Sequence, residues 1–250
     1  MARAESVLRA DGLEKRFGAL VVLDAVDFTV GCREAVGIVG PNGAGKTTLL
    51  NVLSGRNTPE RGQILFAGED VTGLDVAARC RLGIARSHQI PRPFGGMTVF
   101  ENLLVAAEAG AGLRGPAATR RALETLALCG MLPRANRRAE TLGLLDRKRL
   151  ELARALATEP VLLLLDEIGA GLTDAEAQIL VEIIAAIRAQ GIAIVWIEHI
   201  VHVLVKVVGR LVCMDAGRVI ADGEPAAVLR DATVIDAYLG QAAKNVSAHG

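Results

Sequence analysis

Long apolar runs are missing from this chain, although 51% of its residues are hydrophobic. The longest, "VLLLL" at 161–165 and "IAIVWI" at 192–197, fall far short of the roughly 20 residues a membrane-spanning helix needs. No apolar leader is read in the opening residues. Work at a membrane is therefore expected to proceed by docking on another protein. Cysteine is sparse: Cys32, Cys80, Cys129 and Cys213 are scattered, with no CxxC pair and no histidine at ligand spacing. That pattern argues against a disulfide framework or a zinc site and for thiols in a reducing compartment. Aromatic residues make up 3% of the chain, and the formal net charge is zero. The basic clusters Arg120-Arg121, Arg137-Arg138 and Arg147-Lys148-Arg149 have no interleaved aromatics, so they read as solvated helix faces and no nucleic-acid partner is expected.

What is present is an alternation of short β-rich runs with amphipathic helical stretches. "EAVGIVG", a helix from Lys46, "VLLLLD", a helix over 174–190, "IAIVWIE" and a helix over 200–208 follow one another, which predicts an α/β fold with a mainly parallel sheet flanked by helices. Segments near 6–11, 20–30 and 62–67 predict an N-terminal antiparallel β layer. Between about 88 and 158 strand signals fade, and helices near 98–109, 117–130 and 146–158 read as a helical subdomain inserted in the core. A hairpin, "RLVCMDAGRVIADG", precedes a helical piece ending near Leu239. Residues 1–240 are expected to form one domain and 241–250 a flexible tail.

The run "GPNGAGKTT", residues 40–48, fits G-x-x-x-x-G-K-[ST] between a strand signal and a helix signal. Such a loop turns successive backbone N–H groups and a helix N-terminus toward an anion. Gly40, Gly43 and Gly45 allow close approach, and Pro41, Asn42, Ala44 and Thr48 complete the turn. Lys46 is expected to reach the β- and γ-phosphates of ATP, and the Thr47 hydroxyl to ligate Mg²⁺. A magnesium site also needs an acid at the end of a buried strand. Asp166 ends the wholly aliphatic run, and Glu167 follows it, placed to orient or deprotonate the attacking water. Alone, such a pair reads more readily as a turn or helix-capping acid; beside a phosphate loop it reads as part of the site.

With motifs in this order the chain resembles, over nearly all its length, the ATPase subunits of ATP-binding cassette transporters. The resemblance implies the P-loop ATPase fold and further roles. Phe17 in "EKRFGAL" matches the aromatic that stacks on adenine; its plain reading is core packing. Gln89 in "ARSHQIPRPF" matches the glutamine that touches Mg²⁺ and the γ-phosphate and reports to the membrane subunit. His199 after "IAIVWIE" matches the histidine that contacts the γ-phosphate, and "AGLT" at 170–173 the segment that crosses to the partner. Transmembrane permease subunits and a second cassette, as homo- or heterodimer, are the implied partners, placing the chain on the inner face of the cell membrane. "MTVFENLLVA", "RKRLELARALATEP" and "VIDAYLG" are most similar to subunits serving importers of branched-chain amino acids and related amides.

One segment departs from the family. Its signature, Leu-Ser-Gly-Gly-Gln, binds the γ-phosphate held by the opposite subunit, and alignment through "RKRLELARAL" places Leu142, Gly143, Leu144, Leu145 and Asp146 there. Gly143 lacks the serine hydroxyl. Leu145 adds bulk, and strain too if the glycine it replaces has positive φ. Asp146 brings negative charge toward phosphate. Ile168 also stands where the family has proline, freeing the loop that carries Glu167. Asymmetric hydrolysis with a partner bearing an intact signature is the expectation; an ATP-binding regulatory cassette without hydrolysis, and an exporter cassette, are the alternatives.

Overall fold

The structure, a computed structural model, describes residues 6–247, with side-chain detail to residue 239. Its strands are β1 (Ser6–Phe17), β2 (Leu20–Gly31), β3 (Ala35–Val39), β4 (Arg61–Phe66), β5 (Glu69–Asp70), β6 (Ile84–Arg86), β7 (Leu162–Asp166), β8 (Ala193–Ile197), β9 (Arg210–Asp215) and β10 (Arg218–Gly223). The helices are α1 (Lys46–Leu53), α2 (Val76–Leu82), α3 (Val99–Ala109), α4 (Gly115–Leu128), α5 (Leu144–Ala157), α6 (Asp174–Ala189), α7 (Val201–Leu204), α8 (Pro225–Val228) and α9 (Ala232–Ser247). Among the described residues no helix is long and apolar enough to cross a membrane.

The expected antiparallel layer is a four-stranded sheet, ordered β2-β1-β4-β5. It buries one face only, so polar residues alternate with Leu8, Ala10, Leu23, Val26, Phe28 and Val30. The second sheet has the order β10-β9-β3-β8-β7-β6, parallel except for β10 at its edge. Every residue of β3, β7 and β8 is buried, because each strand feeds two cores. Val36, Ile38, Leu162, Leu164, Val195 and Ile197 pack toward the antiparallel layer. Ala35, Val39, Leu163, Leu165, Ile194 and Trp196 pack toward the helices. This is why these strands read as unbroken apolar runs.

Helices α3, α4 and α5 form the insertion and share the second core through Leu103, Leu126, Leu150 and Ala153. Capping boxes start α3 (Thr98 with Glu101) and α6 (Thr173 with Glu176). Three departures from the sequence reading stand out. Strand β6 and helix α2 were not expected; a three-residue strand is too short to show a period. The helix expected over 200–208 shrinks to α7, since the chain must turn at Gly209 to enter β9. The last helix continues to Ser247 instead of ending near Leu239. Residues 248–250 of the expected tail lie outside the described residues.

Candidate functional site

Parallel strands β3, β6, β7 and β8 all end at the same sheet edge, in register: Asp166 pairs with Ile197, Ile38 with Ile197, and Arg86 with Leu164. Ligand sites of open α/β sheets form at this carboxyl edge. From β3 the chain enters the 40–48 turn, and Gly45 (φ 99°) opens α1 as its N-cap. Side chains are excluded at two points: a Cβ on Gly40 would lie 2.0 Å from the Met214 carbonyl oxygen, and one on Gly45 would lie 2.6 Å from that of Val22. Pro41 and Ala44 are buried, Thr48 is half-buried, and Asn42 and Gly43 are exposed. Lys46, itself buried, folds back so that Nζ donates to the carbonyls of Gly40 (2.7 Å) and Pro41 (2.8 Å). Burial lowers its pKa, opposed by the nearby Glu167, Cys213 and Asp166.

Asp166 is buried, with Oδ1 accepting from Thr47 Oγ1 at 3.4 Å and Oδ2 meeting Arg86 Nη2 at 2.7 Å. Arg86 Nη1 also donates to Asn51 Oδ1 (2.5 Å) and Ser54 Oγ (3.2 Å). Burial lowers the guanidinium pKa, and Asp166 opposes that shift. Glu167 stands at φ 46°, a left-handed conformation uncommon for a side chain of its size. Its N–H donates to the Ile197 carbonyl at 2.9 Å. Both carboxylate oxygens are engaged: Gln89 Nε2 donates to Oε2 at 2.5 Å, and His199 Nε2 lies 2.8 Å from Oε1. Sequence-predicted residues from four separate segments thus meet around two adjacent acids.

The loop after Glu167 is pinned despite its missing proline. Ile168 is buried in the helical core, and the Gly169 N–H donates to Glu198 Oε1 at 2.6 Å. Burial raises the Glu198 pKa, Gly169 opposing. Phe17 is not a core residue. It ends β1 at 49% exposure, with Lys15 Nζ 5.5 Å from its ring centre, and borders a cleft of about 470 Å³ that also takes in Thr47, Gln89 and Asp166. Oxygen donors fit for a hard cation, Thr47 Oγ1 and Asp166 Oδ1, lie in that cleft.

Two consequences expected of the altered signature change. Leu145 lies within α5, and its φ is not positive, so no left-handed strain arises; its side chain is half-buried against the helical core. Asp146 is ion-paired with Arg134 at 2.5 Å and Arg149 at 3.5 Å, so its charge is already balanced. Gly143 caps α5 without a side-chain hydrogen bond, leaving the helix N-terminus open. Arg86 and Glu198 escaped the sequence reading. Glu198 had only its position as a signal, after a strand that was read and beside His199; Arg86 had none, because β6 was not expected.

The sequence profile of the ABC transporter family matches residues 23–170, and that of the branched-chain amino acid ATP-binding cassette transporter matches residues 218–244. The chain is 37% identical to the high-affinity branched-chain amino acid transport ATP-binding protein LivG of Escherichia coli K12, covering 96% of this chain and all of that protein. It is 33% identical to the lipopolysaccharide export system ATP-binding protein LptB of Haemophilus influenzae, covering 94% and 98% respectively. Among solved structures, an ATP-binding cassette of an ABC transporter in its ADP conformation superposes with a TM-score of 0.85 at 30% identity, over 94% of this chain and 99% of that one. Fold, site edge and sequence agree: the chain belongs to the ABC transporter family, as a nucleotide-binding ATPase subunit.

Proposed function

We propose that this chain binds ATP with Mg²⁺ and hydrolyses it to energise a membrane importer of branched-chain amino acids or related solutes. The observation that carries the chemistry is the convergence of Lys46, Thr47, Asp166, Glu167, Gln89 and His199 at one sheet edge. Lys46 and the loop N–H groups stabilise charge on the phosphates. Thr47 and Asp166, bordered by Gln89, would hold the magnesium ion, which when bound would neutralise phosphate charge. Glu167 accepts the proton of the attacking water, and His199 sits beside it to sense the γ-phosphate. Since both oxygens of Glu167 are engaged in this conformation, movement of Gln89 frees one of them. That puts the start of the helical insertion between nucleotide arrival and water activation. The exposed Phe17 ring suits stacking on adenine.

The higher identity to the amino-acid importer subunit than to the lipopolysaccharide exporter subunit, with the match over 218–244, supports import. Permease subunits and a second cassette are its partners, and they hold it at the inner face of the cell membrane. At the altered signature, α5 keeps its N-terminus and a neutralised Asp146 but lacks a hydroxyl at Gly143, which supports asymmetric hydrolysis with a partner whose signature is intact. The test is Mg²⁺-dependent ATP hydrolysis by the chain alone and mixed with its partner cassette, with Glu167→Gln as the blank. Activity on mixing, with Glu167→Gln retaining unhydrolysed ATP, is expected. Turnover by the chain alone would remove the asymmetry, and silence in both would leave a regulatory cassette.

A further inference from the structure

The base of the phosphate loop is held by the far end of the chain. Strand β9 presents the Met214 carbonyl where a Cβ on Gly40 would sit 2.0 Å away. The β9–β10 turn donates the Gly217 N–H to the Ala44 carbonyl at 3.1 Å. A third contact spans 198 positions: the Gly40 N–H donates to the Tyr238 hydroxyl at 2.9 Å. Tyr238 is the sole tyrosine of the chain. It lies on α9, which Val234 anchors in the helical core, and nothing in the chemistry proposed above uses it. Burial pushes its phenol above the ordinary value, opposed by the Gly40 N–H, so at neutral pH the oxygen is a neutral acceptor.

Gly40 is where this contact matters. At φ 142° it occupies backbone space closed to other residues, and as glycine it is also free to leave it. The peptide on its N-terminal side is fixed by Tyr238; its carbonyl, on the other side, accepts from Lys46 Nζ at 2.7 Å. The two hydrogen bonds together fix the pivot from which Lys46 and the loop N–H groups are aimed. We propose that Tyr238 is a positioning residue of the phosphate loop, so that docking of the C-terminal helix sets the chain's affinity for nucleotide. The inference rests on reading residues 40–48 as the nucleotide-binding loop.

Tyr238→Phe keeps the ring and its packing and removes only the oxygen. Hydrogen exchange resolved by ¹⁵N NMR should show the Gly40 amide exchanging faster, with amides of β8 and α6 unchanged. The Kd for ATP, measured by calorimetry in the Glu167→Gln background, should rise about three- to tenfold, the range one neutral hydrogen bond supports. Tyr238→Leu should weaken binding at least as much. If α9 were merely held down by the ring, Phe would behave as wild type and only Leu would fail, which overturns the proposal; so would an unchanged Gly40 exchange rate. Lys46→Ala separates the two readings. If it abolishes ATP binding while Tyr238→Phe binds normally, the latch alone is wrong; if Lys46→Ala binds normally, the loop assignment falls and the latch with it.

Discussion

Arg86 and Asp166 differ in kind from the surface ion pairs of this chain. Their side chains are 8% and 3% exposed, against 48% and 39% for Arg9 and Asp11. Burial lowers the Arg86 pKa, with Asp166 opposing, as for a pair held at a cost in desolvation. Removing one partner strands the other charge. Arg86→Met is therefore expected to destabilise the nucleotide-free protein by about 3–5 kcal/mol, while Arg9→Ala costs at most about 1 kcal/mol. Urea unfolding of both variants checks this, and similar losses would mean that water reaches Asp166. At this scale the sequence was legible where a spacing rule exists. Lys46, Thr47, Asp166 and Glu167 follow from the phosphate loop and the strand that ends in an acid. No rule ties Arg86 to Asp166 or Arg134 to Asp146, since those pairs arise only when β6 lies beside β7 and the turn at 132–134 packs on α5.

Helix α5 keeps its N-terminus at Gly143 although the motif expected there has changed. Its first turn begins at Gly143, φ −68°, where an added Cβ would meet nothing within 4 Å. A serine fits there and supplies a cap. Gly143→Ser should change stability by only a few tenths of a kcal/mol, because glycine is already a tolerable N-cap. Leu145→Gly should cost about 1 kcal/mol or more through helix propensity, plus the loss of its half-buried packing. If the signature limits turnover, the double variant should hydrolyse ATP faster than the wild-type chain when both are assayed alone. One restored charged hydrogen bond of about 1.5–3 kcal/mol corresponds to a gain on the order of ten- to a hundredfold. No gain would move the limit away from α5. Elements were legible in proportion to their length and period: β7, β8 and α6 were read nearly to the residue, while β6, three residues long, carries no period to read, and α7, four residues long, is shorter than the helix expected over 200–208.

Across the whole molecule, one sheet separates two cores, and the cleft proposed for the nucleotide draws on every layer: Phe17 from the antiparallel sheet, Thr47 from α1, Asp166 from a central strand, and Gln89 from the approach to the helical insertion. The sequence suggested these layers through β-type segments near 6–11, 20–30 and 62–67 and through apolar runs alternating with helical stretches beyond them; it could not show which strand ends become neighbours. If residues 1–240 behave as one domain, as we propose, unfolding is a single transition. Trp196, the only tryptophan, sits 1% exposed in the core shared by β8 and the inserted helices, so its fluorescence reports whether insertion and sheet part company. Its urea midpoint is expected to coincide with that of far-UV circular dichroism. Saturating ATP, at about one hundred times its Kd and in the Glu167→Gln background, should move both curves together by about 2.7 kcal/mol. A ligand that bridges layers stabilises all of them only if they unfold as a unit. Two separated midpoints, with ATP shifting one alone, would instead make 88–158 a folding unit of its own, and Gln89 would then lie at a hinge between two bodies.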